Sequence, residues 1–240
     1  MFFVTLQNRG LIHLEGADRH RFLQDLITND INKLSAANPL YACLLNAQGK
    51  FLHDFFVIEG DGFTLLECEG GDRAQDLYSR LTMYRLRADV QISVQDDHAV
   101  YAILGQDKAI DLDAGFKDPR HTDIGYRSFN KPDLPEENFD AWDYRRISLT
   151  IPDGSRDLEI GHSTLDEGSM DTLNAVDYKK GCYIGQELTA RMHYRGLGKR
   201  KLMTIGINPA DLSPREDGSA RDIIALRSSC RDMAIALVRV

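Results

Sequence analysis

The chain has 240 residues, of which 42% are hydrophobic and 28% are charged, so its composition is that of a folded globular protein rather than a disordered one. This length allows one or two domains with a sizeable core. The formal net charge of −8 argues against a general nucleic-acid or membrane-surface binder, because either would favour a basic face. We therefore expect no direct binding to nucleic acid and none to membranes.

The first part of the sequence predicts strands interleaved with a helix. Residues 11–14 have the composition of a short strand, and Asp18 is a suitable N-cap for the helix that follows. The apolar face of that helix is formed by Phe22, Leu23, Leu26 and Ile27. Strands are predicted next at residues 39–45, 51–58 and 63–68. The first two are joined by a hairpin in which Gly49 supplies the positive φ.

The remaining sequence continues the mixture of helices and strands. Helices are predicted at residues 72–85 and 139–149, and strands at 89–94, 100–104, 202–207 and 233–240. Residues 105–140 have a weak pattern with several prolines, typical of a long surface connection. The last two strands flank a polar segment. Strands connected partly by hairpins indicate an α+β fold rather than a doubly wound parallel sheet.

The four cysteines are widely scattered and form no C-x-x-C pair. This spacing supports neither a zinc site nor a permanent cluster site within one chain, so no metal site is predicted. The apolar run at residues 2–6 is too short for a signal peptide, and no run approaches the ~18 residues that cross a bilayer. From these features we expect a cytoplasmic protein in a reducing compartment.

Residues 179–191, K-K-G-C-Y-I-G-Q-E-L-T-A-R, are the most informative stretch of the sequence. They place Cys182 between two glycines and directly after two lysines. Glycines allow turns and close ligand approach, and neighbouring cations favour the reactive thiolate. The alternative is a turn that begins a helix, with a small buried cysteine that only packs. Residue chemistry alone leaves both interpretations open.

This stretch resembles the K-G-C-[FY]-x-G-Q-E signature of the YgfZ/GcvT-like folate-binding proteins, which include mitochondrial iron–sulfur assembly factors. Further segments of the chain are similar to that family in the same order, at residues 16–31, 44–55, 84–92, 116–120 and 151–158. The resemblance implies a GcvT-like α+β fold with ferredoxin-like subdomains around a cleft. It also implies a folate-binding domain over residues 1–200, with interleaved subdomains, and a short β-barrel-like unit over residues 201–240.

The resemblance also implies a site for tetrahydrofolate. The related glycine-cleavage T-protein has a pterin-binding glutamate in an L-E-A-G string, and this chain has L-D-E-G, which puts Asp166 at the matching position and Glu167 beside it. A carboxylate can accept two hydrogen bonds from a pterin. Where the T-protein has a pair of aspartates, this chain has His53 and Asp54, so Asp54 is the candidate general base. The alternative is that these acids are ordinary loop and strand residues.

The signature residues receive roles by the same resemblance. Cys182 would be a reactive thiol or a transient ligand, with Lys180 lowering its pKa. Gln186 and Glu187 would fix the turn, and Gly181 would allow close approach of a ligand. The resemblance also makes Lys180, Gly181, Gln186, Glu187 and Arg191 candidate folate-binding residues.

A basic stretch that begins at Arg191 and ends at Lys201 follows the signature. It is either a solvated turn or a rim that attracts the anionic tail of a folate. We predict that Asp54, Asp166 and the hairpin at residues 48–49 converge on one apolar cleft with this stretch at its rim.

Two functions follow from the resemblance. The first is a tetrahydrofolate-binding accessory protein for assembly or repair of iron–sulfur clusters in client enzymes, including tRNA-modifying ones. Its partners would be reduced folate and iron–sulfur client or scaffold proteins. The alternative is a folate-dependent aminomethyl or one-carbon transferase with Asp54 as base, and the accessory role is the preferred interpretation.

Overall fold

The structure is a computed structural model that describes residues 1–95, 98–105, 115–207 and 222–240. In those residues it has four α-helices: α1 Arg19–Gln24, α2 Asp72–Arg85, α3 Phe139–Ser148 and α4 Gln186–Arg195. Short 3-10 turns cover Ile31–Lys33 and Gly154–Arg156. The described strands are β1 Phe2–Thr5, β2 Arg9–Glu15, β3 Leu40–Leu45, β4 Phe51–Glu59, β5 Phe63–Glu69, β6 Gln91–Gln95, β7 Tyr101–Leu104, β8 Gly115–Lys117, β9 Tyr126–Ser128, β10 Glu136–Glu137, β11 Arg200–Gly206, β12 Ile223–Cys230 and β13 Met233–Arg239.

These strands form three sheets. Sheet I has the order β3-β4-β5-β2-β6 and is antiparallel throughout. Sheet II has the order β10-β1-β7-β9-β8, in which β1 and β10 are parallel and the other pairs are antiparallel. Sheet III is the antiparallel set β11-β13-β12. No helix in the described part of the chain is long and apolar enough to span a membrane.

Sheet I is covered on both faces, and the alternation of side chains along β4 shows how. Phe55 and Val57 belong to the cluster that packs against α1 and α2. Phe56, which lies between them, points the other way, into the central core that sheet I shares with sheet II, α3 and sheet III. Successive side chains of a strand face opposite sides, so covering both faces buries every residue from Phe51 to Val57.

Sheet III closes the central core at the C-terminal end of the chain. On β13, Ile235 and Leu237 face the central core, whereas Ala234, Ala236 and Val238 form a separate cluster on the opposite face. The strands of sheet III lie between Arg200 and Arg239, and the division into domains at residues 1–200 and 201–240 stays a prediction.

The α+β fold class is confirmed, and the hairpin with Gly49 at φ +70° is present between β3 and β4. The prediction of a long surface connection over residues 105–140 missed three strands, because β8, β9 and β10 pair with one another or with other strands of sheet II within residues 115–137. Strands of two or three residues are too short to produce a recognisable alternation. Residues 106–114 of that connection and residues 208–221 of the polar C-terminal segment lie outside the described residues.

The N-terminus of α1 differs from the prediction in one detail. Asp18 is the N-cap residue, but its side chain makes no capping hydrogen bond. Its carboxylate instead accepts a hydrogen bond from the backbone N–H of Asp89, at 2.9 Å, and so ties the start of α1 to the segment that leads into β6.

Candidate functional site

Cys182 lies at the tip of a short loop that precedes α4. The loop is held at both sides by buried residues, since Lys180 and Tyr183 are each 7% exposed. Between them, Gly181 and Cys182 are exposed. The alternative of a small buried cysteine that only packs is therefore wrong, although α4 does begin shortly after the loop, at Gln186.

The other three cysteines are buried. Burial raises the pKa of the Cys43 thiol, an effect that the nearby Asp54 reinforces. Burial also raises the pKa of Cys68, to about 12, and that of Cys230. Because the thiolate is the nucleophile and the metal ligand, these three thiols are poorly suited to either role. Cys182 is thus the accessible thiol of the chain.

Lys180 does not have the role that the sequence suggested. Its Nζ donates hydrogen bonds to the backbone carbonyls of Gln24, Ile27 and Asn29, at 2.7, 2.6 and 2.9 Å. Burial lowers the pKa of Lys180 to about 8, so the ammonium form persists at pH 7. An ammonium has three donors, and all three are used inside the protein. The interpretation of Lys180 as a folate ligand or as the cation that activates Cys182 therefore needs correction.

The remaining signature residues surround the start of α4. The Nε2 of Gln186 lies 3.4 Å from the carbonyl oxygen of Gly181, as expected for a residue that fixes the turn. Gly185 is the N-cap of α4 in the left-handed region, at φ +80°. Glu187 is exposed in the first turn of α4, and Arg191 is exposed one turn later.

Asp166 lines a small cavity between the β3–β4 hairpin and α4. The cavity is lined by Gly49, Thr164, Leu165, Asp166, Tyr178, Leu188, Thr189, Met192 and His193. The Oδ2 atom of Asp166 is buried and has no hydrogen-bond partner among the described residues. It packs directly on the backbone of Gly198, where a side chain would collide with it. A buried acceptor without a donor is costly, so this oxygen is suited to receive an N–H group from a ligand.

Glu167 faces a different cavity, which is lined also by Lys50, His162 and Arg227. Its Oε1 lies 2.6 Å from Nη2 of Arg200, so its charge is already paired. The two neighbouring acids of the L-D-E-G string therefore line different cavities. This ion pair gives Glu167 a structural partner, so within the L-D-E-G string Asp166 is the acid with a buried oxygen that lacks a donor among the described residues, a feature that it shares with Oδ1 of Asp54.

Asp54 is 2% exposed on β4 and accepts a hydrogen bond from the hydroxyl of Tyr41, at 2.7 Å. Burial raises its pKa, although Arg9 and the Tyr41 hydroxyl act in the opposite direction. Asp54 is not among the residues that line the Asp166 cavity. The structure thus brings Gly49 and Asp166 to one cavity and places Asp54 in the core.

A buried ion network near Asp54 went unrecognised at the sequence level. Glu67 on β5 accepts from Nε of Arg9 at 2.8 Å and from Nη1 of Arg127 at 2.6 Å. Arg127 also donates to Asp118 at 3.1 Å, and Arg120 binds both oxygens of Asp118 at 3.0 and 2.8 Å. Burial disfavours the charge on Asp118, but the two arginines outweigh it and lower its pKa to about 2. The F-K-D-P-R segment contained part of this network, yet nothing in its sequence indicated burial.

The I-P-D-G-S-R-D-L segment extends the buried charges. Arg146 of α3 donates to Asp143 and to Asp157, each at 2.7 Å. Arg156 binds Asp143 with both of its terminal nitrogens and reaches Asp153 at 2.9 Å. Asp153 is also 3.8 Å from Arg9, so the two sets of charges are adjacent.

The described residues contain no group of three or more His, Cys, Asp or Glu side chains placed to hold a metal ion. Among the described residues, Cys182 thus has no set of neighbouring side chains with which to share a metal ion.

The chain is similar to curated iron–sulfur cluster assembly factors. It is 32% identical over 232 residues to the human mitochondrial factor IBA57, covering 83% of this chain and 65% of that protein. It is 31% identical over 257 residues to the mitochondrial IBA57 homologue of Coccidioides immitis, covering 90% of this chain and 59% of that protein. The homologue of Pyricularia oryzae is 30% identical over 221 residues, covering 84% of this chain and 56% of the relative. These proteins are homologues of the chain.

The chain spans between about half and two thirds of the length of these relatives. No protein-family model matches it. Its fold matches the crystal structure of the glycine cleavage system aminomethyltransferase T from Bartonella henselae, with a TM-score of 0.73 over 99% of this chain and 78% of the other. At 16% identity, that likeness establishes the GcvT-type fold and nothing further.

The expectation of a cytoplasmic protein is contradicted. The human, Coccidioides and Pyricularia relatives are all named as mitochondrial proteins. The prediction depended on the short apolar run at residues 2–6 and on the scattered cysteines, and neither feature distinguishes the cytoplasm from an organelle.

Proposed function

We propose that the chain is a tetrahydrofolate-binding accessory factor for the assembly or repair of iron–sulfur clusters, and that Cys182 is the residue that meets the cluster or its donor. The observation that carries the proposal is the exposed thiol at the tip of a loop with two buried anchors. The homologous assembly factors supply the reaction class.

A single thiol can take part in cluster assembly only together with other molecules. Protein-bound iron–sulfur clusters usually have several cysteine ligands, and the described residues offer no such set. Cys182 would therefore act as one temporary ligand or nucleophile while a scaffold or client protein supplies the rest. Clients that modify tRNA would be served through their clusters, without contact between this acidic chain and RNA.

Asp166 is the residue that fits a folate. Its buried Oδ2 lacks a donor, and the 2-amino and ring N–H groups of a pterin could provide one. The rings of Tyr178 and His193, stacked with centroids 3.7 Å apart, form part of the same cavity wall. The cavity is smaller than a pterin, so binding requires α4 or the hairpin to move. Arg191, on the outer face of α4, would attract the anionic tail, and bound tetrahydrofolate would supply a carrier of one-carbon units.

Cluster transfer tests the role of Cys182. Under anaerobic conditions, a cluster-loaded scaffold protein and an apo-enzyme that needs a four-iron cluster are mixed with the wild-type chain or with Cys182→Ser. We expect the wild type to speed recovery of enzyme activity and Cys182→Ser to lose that effect while binding folate normally. Equal rates with both proteins would reduce Cys182 to a turn residue.

Equilibrium binding of reduced folates tests the role of Asp166. We expect Asp166→Asn to weaken binding by roughly tenfold or more, since a charged acceptor for two N–H groups is lost. Glu167→Gln is the matched control, because its carboxylate pairs with Arg200 in the neighbouring cavity. A larger effect of Glu167→Gln than of Asp166→Asn would show that Asp166 is not the acid that binds the pterin.

An aminomethyl transferase is the alternative, and the fold likeness is its only support. The burial of Asp54 and its hydrogen bond to Tyr41 argue against a base that must reach a substrate. Incubation of the chain with tetrahydrofolate and a glycine-derived aminomethyl donor decides between the accessory factor and the transferase. Formation of methylene-tetrahydrofolate that depends on Asp54 would favour the transferase.

A further inference from the structure

Two segments that are far apart in the sequence interlock beneath the Cys182 loop. The Oγ1 of Thr28 donates to the carbonyl of Ala175 at 2.6 Å, and Nδ2 of Asn29 donates to the carbonyl of Asn174 at 2.8 Å. In return, the N–H of Asp177 donates to the carbonyl of Thr28 at 3.0 Å. These bonds place the segment that leads into the cysteine loop against the end of α1.

Lys180 completes this contact. Its side chain passes from the base of the loop to the carbonyls of Gln24, Ile27 and Asn29, which lie at or just beyond the C-terminal end of α1. Gln24 is the last residue of α1, and the last carbonyls of a helix have no intrahelical partner, so this carbonyl needs a donor from elsewhere, while those of Ile27 and Asn29 belong to the segment that follows. Three short bonds from one ammonium also satisfy that ammonium completely.

After the two residues Gly181 and Cys182, the loop comes back to Lys180 through Tyr183. The Nζ of Lys180 lies 5.0 Å from the ring centroid of Tyr183, a cation–π distance, and both residues are buried. Gly181 and Cys182 are thus the exposed tip between two anchors that contact each other. Removal of the ammonium would release one anchor and leave three carbonyls without this donor.

We propose that Lys180 is a positioning residue for Cys182, whose ammonium fastens the cysteine loop to the end of α1 and holds the thiol outward in one orientation. The purpose of that orientation rests on the proposed function, but the fastening itself can be measured without it. Lys180 acts through the loop and does not touch the reacting atoms.

The loop can be observed directly with a nitroxide spin label on Cys182, since the other cysteines are buried. The variants are Lys180→Met and, as the matched control, Lys179→Met, because Lys179 is exposed and its neighbouring bond to Asp177 uses only its backbone N–H. We expect the electron paramagnetic resonance spectrum of the label in Lys180→Met to show greater mobility than in the wild type. We also expect exchange of amide hydrogens in residues 178–185 to rise by roughly tenfold or more, because local opening becomes less costly. Lys179→Met should match the wild type in both measurements.

Rescue separates positioning from simple stabilisation. Lys180→Arg keeps a charged donor and should restore part of the restricted spectrum. If the position needed only an apolar side chain to fill space, the label would be more restricted in Lys180→Met than in Lys180→Arg. Lys180→Leu, which also lacks a donor, is the second variant in case Lys180→Met does not fold. A restricted label and unchanged exchange in either of these donor-free variants would overturn the inference.

Cluster transfer distinguishes failure of this inference from failure of the proposed function. If Lys180 positions the thiol, Lys180→Met should slow transfer by roughly tenfold or more, as a misplaced reactive group does, while folate affinity stays within about twofold. A mobile loop in a protein whose wild type has no effect on transfer would leave Lys180 as an anchor and reject the proposed function. An immobile loop in Lys180→Met, with transfer that still depends on Cys182, would reject the anchoring role of Lys180 and leave the proposed function standing.

Discussion

Cys182 and Cys43 are the same side chain in opposite surroundings. Cys43 is buried on β3 opposite Asp54 of β4, where burial and a nearby acid raise its thiol pKa. Cys182 is exposed between two anchored residues. The sequence is consistent with this difference, because Cys43 lies in an apolar run and Cys182 follows lysines and a glycine, but residue chemistry alone left Cys182 open to both interpretations. It could not predict that Lys180 turns away, since the three carbonyls that bind it come from more than 150 positions earlier in the chain.

Alkylation of the native protein should therefore be selective. With iodoacetamide near pH 7.5, we expect Cys182 to react at least about 100-fold faster than Cys43 and Cys68, because it is exposed while burial both shields those two thiols and raises their pKa. Peptide mass spectrometry after timed quenching measures the rates. Cys182→Ser should remove the fast phase without lowering the midpoint of thermal unfolding. Comparable rates at Cys182 and Cys43 in the folded protein would contradict the exposed loop.

His53 should make stability depend on pH. It is 2% exposed, and burial together with the nearby Arg73 lowers its pKa to about 4, against about 6.5 in the unfolded chain. As the pH falls from 6.5 to 4, the unfolded state gains a proton that the folded state does not. The free energy of unfolding should therefore decrease across this window, by at most about 3 kcal/mol from His53.

Urea denaturation at several pH values measures that decrease. His53→Gln keeps a polar side chain that does not titrate, so its curve should be flatter than that of the wild type between pH 6.5 and 4. The exposed His98 provides the control variant His98→Gln, whose curve should parallel the wild type. The prediction fails if His53→Gln and the wild type lose stability in parallel.

At the scale of elements, long and regularly patterned segments were predictable and irregular ones were not. Helix α2 was predicted with its observed bounds, from Asp72 to Arg85. Strand β12, from Ile223 to Cys230, was missed because its pairing with β13 shifts register twice, which breaks the alternation that marks a strand. The hairpin at Gly49 was predicted from its turn residues, but its contact with α4 depends on how distant elements pack.

That contact makes the two glycines of the signature unequal. Gly185 is in the left-handed region, at φ +80°, and a Cβ there would lie 2.6 Å from the carbonyl oxygen of Asn46 and 2.8 Å from the Cα of Gly49. Gly181 has no positive φ, and a Cβ at that position would have nothing within 4 Å. We expect Gly185→Ala to reduce the free energy of unfolding by about 2 kcal/mol or more, from strain and from the collision. Gly181→Ala should stay within about 0.5 kcal/mol of the wild type.

Urea denaturation compares the two variants, and equal losses would contradict the close packing of α4 on the hairpin. A Gly181→Ala protein that is stable but slow in cluster transfer would indicate that Gly181 leaves room for a partner near Cys182.

At the scale of the whole molecule, buried charges join sheet I to sheet II. Glu67 belongs to sheet I and Arg127 to sheet II, and their ion pair at 2.6 Å lies in the interior with 0% and 2% of the side chains exposed. The guanidinium of Arg127 also lies over the rings of Phe56 and Trp142. Composition and periodicity indicated a core of apolar residues. They could not reveal this charged centre, because burial of a charge depends on partners that only the tertiary fold brings together.

Removal of one partner should be costly. We expect Arg127→Met to lower the free energy of unfolding by about 3–5 kcal/mol, because Glu67 and Asp118 would keep buried charges with fewer partners. Lys131→Met is the control, since the Lys131–Glu136 pair is exposed and should contribute almost nothing. Chemical denaturation measures both. A loss below about 1 kcal/mol for Arg127→Met would show that water replaces the arginine and that the centre is not dry.

The distribution of these charges along the chain determines how the two sheets depend on each other for charge balance. Arg9 and Glu67 both lie within the strands of sheet I, which are complete by Gln95, whereas Asp118, Arg120 and Arg127 follow together in the segment that builds sheet II. The first set is an arginine–glutamate pair whose charges balance within sheet I. The second set carries one more positive charge than negative, and Arg127 meets Glu67 only when the two sheets dock. Sheet I therefore contains both members of its own arginine–glutamate pair, whereas the later segment depends on sheet I for the acceptor of its extra arginine.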